Sequence, residues 1–169
     1  MTGKRKNRKG STMLEFVLVA IPMIFILISV FEIARGMWIY HTLAYAVREG
    51  VRYAAVHGSG CAAPRTCQVT VGQIASIIQS AGVGLDADAV SVTFTPASGS
   101  ATTDTMTNQI ASTTNWPPTG ANAPGQNVKI ALKYPFRTIL AVFWVGAGRP
   151  LNDSGVFYLA ASSTEPIQF

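Results

Sequence analysis

The sequence predicts an α+β protein: a long N-terminal transmembrane and then amphipathic helix, followed by a small exported domain with a short helix and an antiparallel sheet of about three strands. Three observations predict it. An apolar run from Met13 to Ile33 follows a cluster of bases, helical periodicity continues beyond that run, and segments near residues 90, 127 and 155 alternate or carry β-branched residues. The natural partition is a basic leader at 1–10, a helix at 11–57 that spans a membrane to about residue 34, and an exported α+β domain at 58–169.

The run from Met13 to Ile33 is 21 residues long, close to the roughly 20 that a helix needs to cross a bilayer core. Lys4, Arg5, Lys6, Arg8 and Lys9 precede it and only Arg35 follows it closely, which orients the leader to the cytoplasm and the bulk of the chain outside it. The run is too long for a secretory signal's apolar core and lacks a small-x-small cleavage site at its far end, so the anchor is expected to be retained. Within the run, Glu15 is out of place. A carboxylate near the start of a spanning helix costs on the order of 2–3 kcal/mol, less close to the interface, and something should offset that cost.

The net charge of +5 does not point to nucleic acid. Five bases belong to the leader, and the rest of the chain holds eight bases against eight acids, so no basic patch is supported.

After the span, Ile33, Met37, Tyr40, Ala44, Val47, Val51 and Ala54 recur at alternating steps of four and three and predict one apolar stripe. His41, Arg48, Glu49 and Arg52 fall off it. Pro22 is the expected point of kinking or local melting. Ala46, Gly50 and Ala54 stand four apart and form a small-residue face for close helix packing. Its partner is either the chain's own domain or another subunit, with packing inside the chain at least as well favoured. Gly58-Ser59-Gly60 is expected to end the helix through left-handed backbone angles.

Cys61 and Cys67 bracket five residues, and in an exported domain such a pair reads as a disulfide closing a short loop. A zinc site that recruits His57 is a poorer fit to this spacing, so no metal is expected. Val71, Ile74, Ile77, Ile78 and Ala81 predict a second, short helix over 70–81, ended by Gly82 and Gly84. Strands are predicted at Val90–Thr95, at Asn127–Tyr134 and at Gly155–Ala161, the first two as antiparallel neighbours. Between these two lies a Ser/Thr/Pro-rich loop at 96–126 whose only charge is Asp104. Trp116, before Pro117 and Pro118, reads as tacking that loop onto the sheet in preference to forming a recognition tip for a surface or sugar. Ile139–Val145 is apolar and too short to cross a membrane, so it reads as a core element.

No catalytic constellation emerges. His41 and His57 are the only histidines, and neither a GxSxG, an HExxH nor a phosphate-cradling glycine loop accompanies them. Asp86 and Asp88 offer too few oxygens for a cation and read as a solvated turn. The chain is expected to be no enzyme and to use no cofactor.

The spacing from Gly10 to Glu15-Phe16, with bases before and apolar residues after, resembles the processing site of type IVb prepilins in the GxxxxEF form typical of Flp pilins. Together with the apolar span and the Ala46–Ala55 segment (AVREGVRYAA), the chain resembles the TadE-like pseudopilins, minor pilin-like components of tight-adherence (Flp) pilus systems. The length of the chain departs from the very short Flp major pilins. The resemblance implies a pilin-like fold and cleavage between Gly10 and Ser11 by a membrane prepilin peptidase on the cytoplasmic face. It also implies an assembly role for Glu15 and Phe16. The implied partners are that peptidase, other pilins or pseudopilins, the inner-membrane assembly platform and the lipid bilayer. The implied location is single-pass in the inner membrane, with passage into the pilus as an option. The rival expectations are an uncleaved, signal-anchored surface-binding protein and a type II secretion pseudopilin, which usually carries an apolar residue directly after the glycine.

Overall fold

The computed structural model describes residues 9–61, 69–138 and 156–168, with the backbone alone for residues 9–11. Residues 1–8 of the 1–10 leader, Cys67 and the apolar Ile139–Val145 segment lie outside the described residues.

Helix α1 runs unbroken from Lys9 to Ala55, 47 residues or about 70 Å at ~1.5 Å per residue. It passes through Pro22 without ending. The hydroxyls of Ser29 and Thr42 donate to the carbonyls of Phe25 and Trp38 one turn back, at 2.8 and 2.9 Å, so neither needs water. Among the described residues positive φ occurs at Gly84, Gly99, Gly120 and Gly125, so α1 ends without the left-handed turn expected of Gly58 or Gly60.

Strand β1 (Val69–Thr70) leads straight into α2 (Val71–Ala81). Thr70 caps α2 with a full capping box: its hydroxyl accepts from the Gln73 amide, and the Gln73 side chain accepts from the Thr70 amide. Two orphan helix-end donors are satisfied at once. Then come β2 (Ser91–Thr95), β3 (Thr102–Thr105), the five-residue α3 (Met106–Ile110), β4 (Asn115–Trp116), β5 (Asn127–Arg137) and β6 (Val156–Pro166).

The main sheet is antiparallel in the order β3-β2-β5-β6. Its registers include Phe94 opposite Ile130, and Leu132 opposite Ala161. The expected neighbours pair, and the strand predicted from Gly155 pairs with β5 from Val156 to Pro166. Alternation buries Val92, Phe94, Val128, Ile130 and Leu132 on one face. That face carries α1, which α2 packs against in turn, and the two helices contribute Leu43, Val47, Val51, Ile74 and Ile78 to a shared core. The opposite face is wet and holds a Thr93–Thr103 hydroxyl contact of 2.8 Å.

Three elements lie inside the segment expected to be a loop: β3, α3 and β4. Strand β3 is an edge strand whose Thr-Thr-Asp-Thr sequence is polar on both faces, so it gives no alternation to detect. The Met106 amide donates to the Val90 carbonyl at 2.8 Å and ties α3 to the entry of β2. Strand β4 is two residues long and pairs with β1, Val69 opposite Trp116. Trp116 is buried and meets Phe94 edge-on, with ring centroids 5.3 Å apart.

The apolar stripe of α1 also differs from expectation at its lower end. Ile33, Met37 and Tyr40 are exposed, while Val47, Val51 and Ala54 are buried as expected. From Leu43 onward the stripe enters the core, whereas below that level the tail of β5 meets the helix on another side, at Glu32 and Gly36.

Candidate functional site

The candidate site is α1 itself, with the junction where it leaves its apolar run. Thr12 onward is long and apolar enough to cross a membrane, and only 6 % of its most apolar window is buried within the chain. Met13, Phe16, Leu18, Met23 and Ile26 are each more than 60 % exposed. A helix that apolar all round, with so little protein against it, needs a lipid or protein environment to cover it. Beyond the run the same helix enters the core of the domain, so the apolar run and the domain share one continuous element.

Gly10 and Ser11 fall in the opening turns of α1, where the backbone alone is described. Glu15 and Phe16 lie one turn further, on exposed positions of the apolar helix. Ala46, Gly50 and Ala54 are buried inside the chain, and their partner is α2 in part. A Cβ added at Gly50 would stand 2.3 Å from Ile78 Cγ1 and 2.6 Å from its Cδ1. Cys61 follows Gly60 half-buried, and its expected bridge to Cys67 extends outside the described residues. His57 Nδ1 donates to the Tyr53 carbonyl at 2.6 Å, an ordinary helix-end contact. Asp104 accepts from the Asn108 side-chain amide and the Thr105 backbone amide, and these bonds, the first more than the second, hold its carboxyl below the usual carboxylate range.

Sequence reasoning missed Glu32. It lies at the end of the apolar run and is 8 % exposed. Its carboxylate pairs with Arg35 at 3.4 Å, and the Arg35 guanidinium also donates to the Arg137 carbonyl and lies 4.5 Å over the Phe136 ring. Phe136 in turn packs on Gly36, at ordinary contact distance from where a Cβ would be. The tail of β5 is thus clasped to the helix just as it leaves the apolar run. An acid and a base three apart at the edge of a hydrophobic run were the available signal. Arg35→Ala should strand the buried carboxylate, at a cost of about 1–3 kcal/mol, and loosen this clasp. Trypsin cleavage after Arg137 should then speed up about tenfold, and an unchanged rate would show the clasp to be decorative.

The architecture is that of a helix long and apolar enough to cross a membrane, continuous with a small α+β domain. Residues 10–52 match the family model of TadE-like proteins, so this chain carries a TadE-like N-terminal region. That family implies a protein associated with the tight-adherence (Tad) pilus. No significant match is found among curated proteins or among solved structures. The family match ends at Arg52, within α1, so the domain beyond it has to be read on its own chemistry.

Proposed function

We propose that this chain is a minor pilin or pseudopilin, processed between Gly10 and Ser11 by a prepilin peptidase, that acts in assembly or at the tip of a tight-adherence pilus. The observation that carries the proposal is a bare apolar helix with a single early acid, Glu15, five residues after the glycine that opens the TadE-like match. The precursor is held in the inner membrane with its basic leader in the cytoplasm and its domain outside. Gly10 and Ser11 sit in the terminal turns of α1, where helices fray most readily, so the peptidase can draw this stretch into an extended strand without disturbing the span.

Cleavage creates a new amine on Ser11, one turn from Glu15. In a bundle of such helices that amine pairs with Glu15 of a neighbouring subunit, offsetting the cost of holding either charge in a low-dielectric setting and fixing the axial register between subunits. Phe16 and the exposed apolar residues around it supply the contact surface. The role is structural and interactive, with no chemistry of its own, and the partners are the peptidase, other pilins, the assembly platform and the bilayer. Closing the 61–67 loop with a Cys61–Cys67 disulfide suits an oxidising compartment outside the cytoplasm.

Glu15→Ala tests the register pair. Removing the charge relieves about 2–3 kcal/mol of insertion cost, so membrane association should hold or improve. Recovery of the protein with sheared pili or with the assembly platform should fall at least tenfold. A variant that joins the machinery at wild-type level would sink the register role.

A further inference from the structure

From the cleft around Trp116 we infer a second site on this chain: a binding cleft for a neutral carbohydrate at the membrane-distal pole of the domain. The cleft encloses about 500 Å³ between the β2–β3 turn and the segment that joins α3 to β4 and runs on to Thr119. That volume lies within the range of about 300–1,000 Å³ typical of small-molecule sites.

The lining is selective in its chemistry. Ser98, Gln109, Thr114, Asn115 and Thr119 supply hydroxyls and amides, while Val71, Pro96 and Pro118 supply apolar surface. Among the described residues no ionisable side chain lines it. A phosphate, a carboxylate or a cation would find no counter-charge there, whereas a sugar presents hydroxyls at its rim and C–H bonds on its faces. Two buried polar side chains line the same cleft. Gln109 is 6 % exposed, and Trp116 is 5 % exposed with its indole Nε1–H lacking any acceptor among the described residues. A buried donor without an acceptor is destabilising and rare in folded proteins. The indole Nε1–H is sealed from solvent as the wall stands, so a ligand hydroxyl becomes its acceptor only where the wall gives way on binding.

The frame around the cleft is fixed before any ligand arrives. The Val71 and Gly72 amides donate to the Thr114 and Ser112 carbonyls at 2.8 and 3.1 Å. Gly72 has no room for a side chain, since a Cβ there would stand 2.5 Å from the Ile110 carbonyl oxygen and 2.6 Å from that of Ser112. Ser98 Oγ donates to the Gly120 carbonyl at 3.3 Å, which joins the two rims.

Strand register places the cleft far from the anchor. The end of β5 at Arg137 is clasped to Arg35, near the apolar run. The opposite end, where Lys129 faces Thr95 and Asn127 faces Pro166, lies with the far end of α1, because the Gln168 amide donates to the Ala55 carbonyl at 2.9 Å. The turn after Thr95 forms one wall of the cleft, so the site lies at that distal end. From Ile33 to Ala55 the helix rises roughly 33 Å. The placement rests on the anchor described above; the cleft and its chemistry do not, and binding can be measured whether or not the leader is cleaved.

The test uses the full chain, isotope-labelled, in nanodiscs. The indole resonances of Trp38, Trp116 and Trp144 are assigned with Trp38→Phe and Trp144→Phe variants. The probes are maltotriose, cellotriose and the N-acetylglucosamine trimer, with a sialylated trisaccharide and a Ser/Thr-rich peptide as comparators. A saturable shift of the Trp116 Nε1–H signal with at least one neutral sugar is expected. Asn115→Ala, at an exposed rim position, should weaken it about tenfold, and Thr119→Trp should abolish it by filling the cleft while the other backbone resonances stay in place. A Trp116 signal unmoved by all three sugars would overturn the inference. So would a shift produced only by the peptide or the charged sugar, or one that survives Thr119→Trp.

Discussion

Phe94→Ala is expected to lower the stability of the α+β domain by about 3–5 kcal/mol, the range for deleting a large aromatic from a core. Phe94 is fully buried in β2, where it faces Ile130 on one side and Thr102 on the other. Its ring also supports Trp116 edge-on at 5.3 Å, a geometry that adds about 0.5–1.5 kcal/mol beyond area burial. The loss should therefore spread from the sheet to the β1–β4 ladder. Denaturant unfolding of the full chain in detergent, followed by tryptophan fluorescence, measures it. Phe157→Ala is the internal comparison: that ring is 40 % exposed, and its removal should cost less than about 1 kcal/mol. Equal effects from the two would show that Phe94 is not the keystone of this core.

Gly50→Val is expected to destabilise by about 3 kcal/mol, at the upper end for overpacking. The sign needs two terms. Replacing a mid-helix glycine with alanine gains about 1 kcal/mol of helix propensity, but here any Cβ lands 2.3 Å from Ile78, a side chain with no exposed surface into which to swing. Alanine should come out close to neutral or mildly destabilising, whereas valine adds volume and forfeits most of the propensity gain. Trimming the partner should restore part of the loss, so Gly50→Val with Ile78→Ala should be more stable than the sum of the two single changes predicts. Strict additivity in that cycle would show that α1 and α2 do not meet at this point. Because Gly50 lies beyond the apolar run, membrane association should be unchanged throughout.

Much of the fold was legible because its elements carry long periodicities. The apolar run, the Val71–Ala81 helix pattern with Thr70 before it, and the alternation of Val128, Ile130 and Leu132 each repeat often enough to stand out. The elements within 96–126 do not. The Thr102–Thr105 strand is an edge with neither face buried, and the Asn115–Trp116 strand owes its pairing to Val69–Thr70, far away in sequence. Trp116 was readable as a residue that tacks its loop down, but not as the wall of a cleft, since the lining comes from three separate segments. In α1 the stripe from Ile33 to Ala54 was real as a pattern, yet Ile33, Met37 and Tyr40 are exposed, because below Leu43 the tail of β5 covers a different side of the helix, at Glu32 and Gly36. Glu32 was hidden by the opposite problem: hydropathy averages over a lone acid at the end of an apolar run, and its partner Arg35 gains importance only through β5, a hundred residues later.

The processing at Gly10 is the claim on which the pilin account turns, and intact mass tests it most directly. The full-length protein is extracted from membranes with and without a cognate prepilin peptidase, beside a Gly10→Arg variant. The account predicts loss of Met1 to Gly10 only when the peptidase is present, leaving a chain that begins at Ser11, and no loss in the variant. An intact leader in every sample would contradict it, and the helix would then be a permanent anchor with Glu15 serving some purpose other than subunit register.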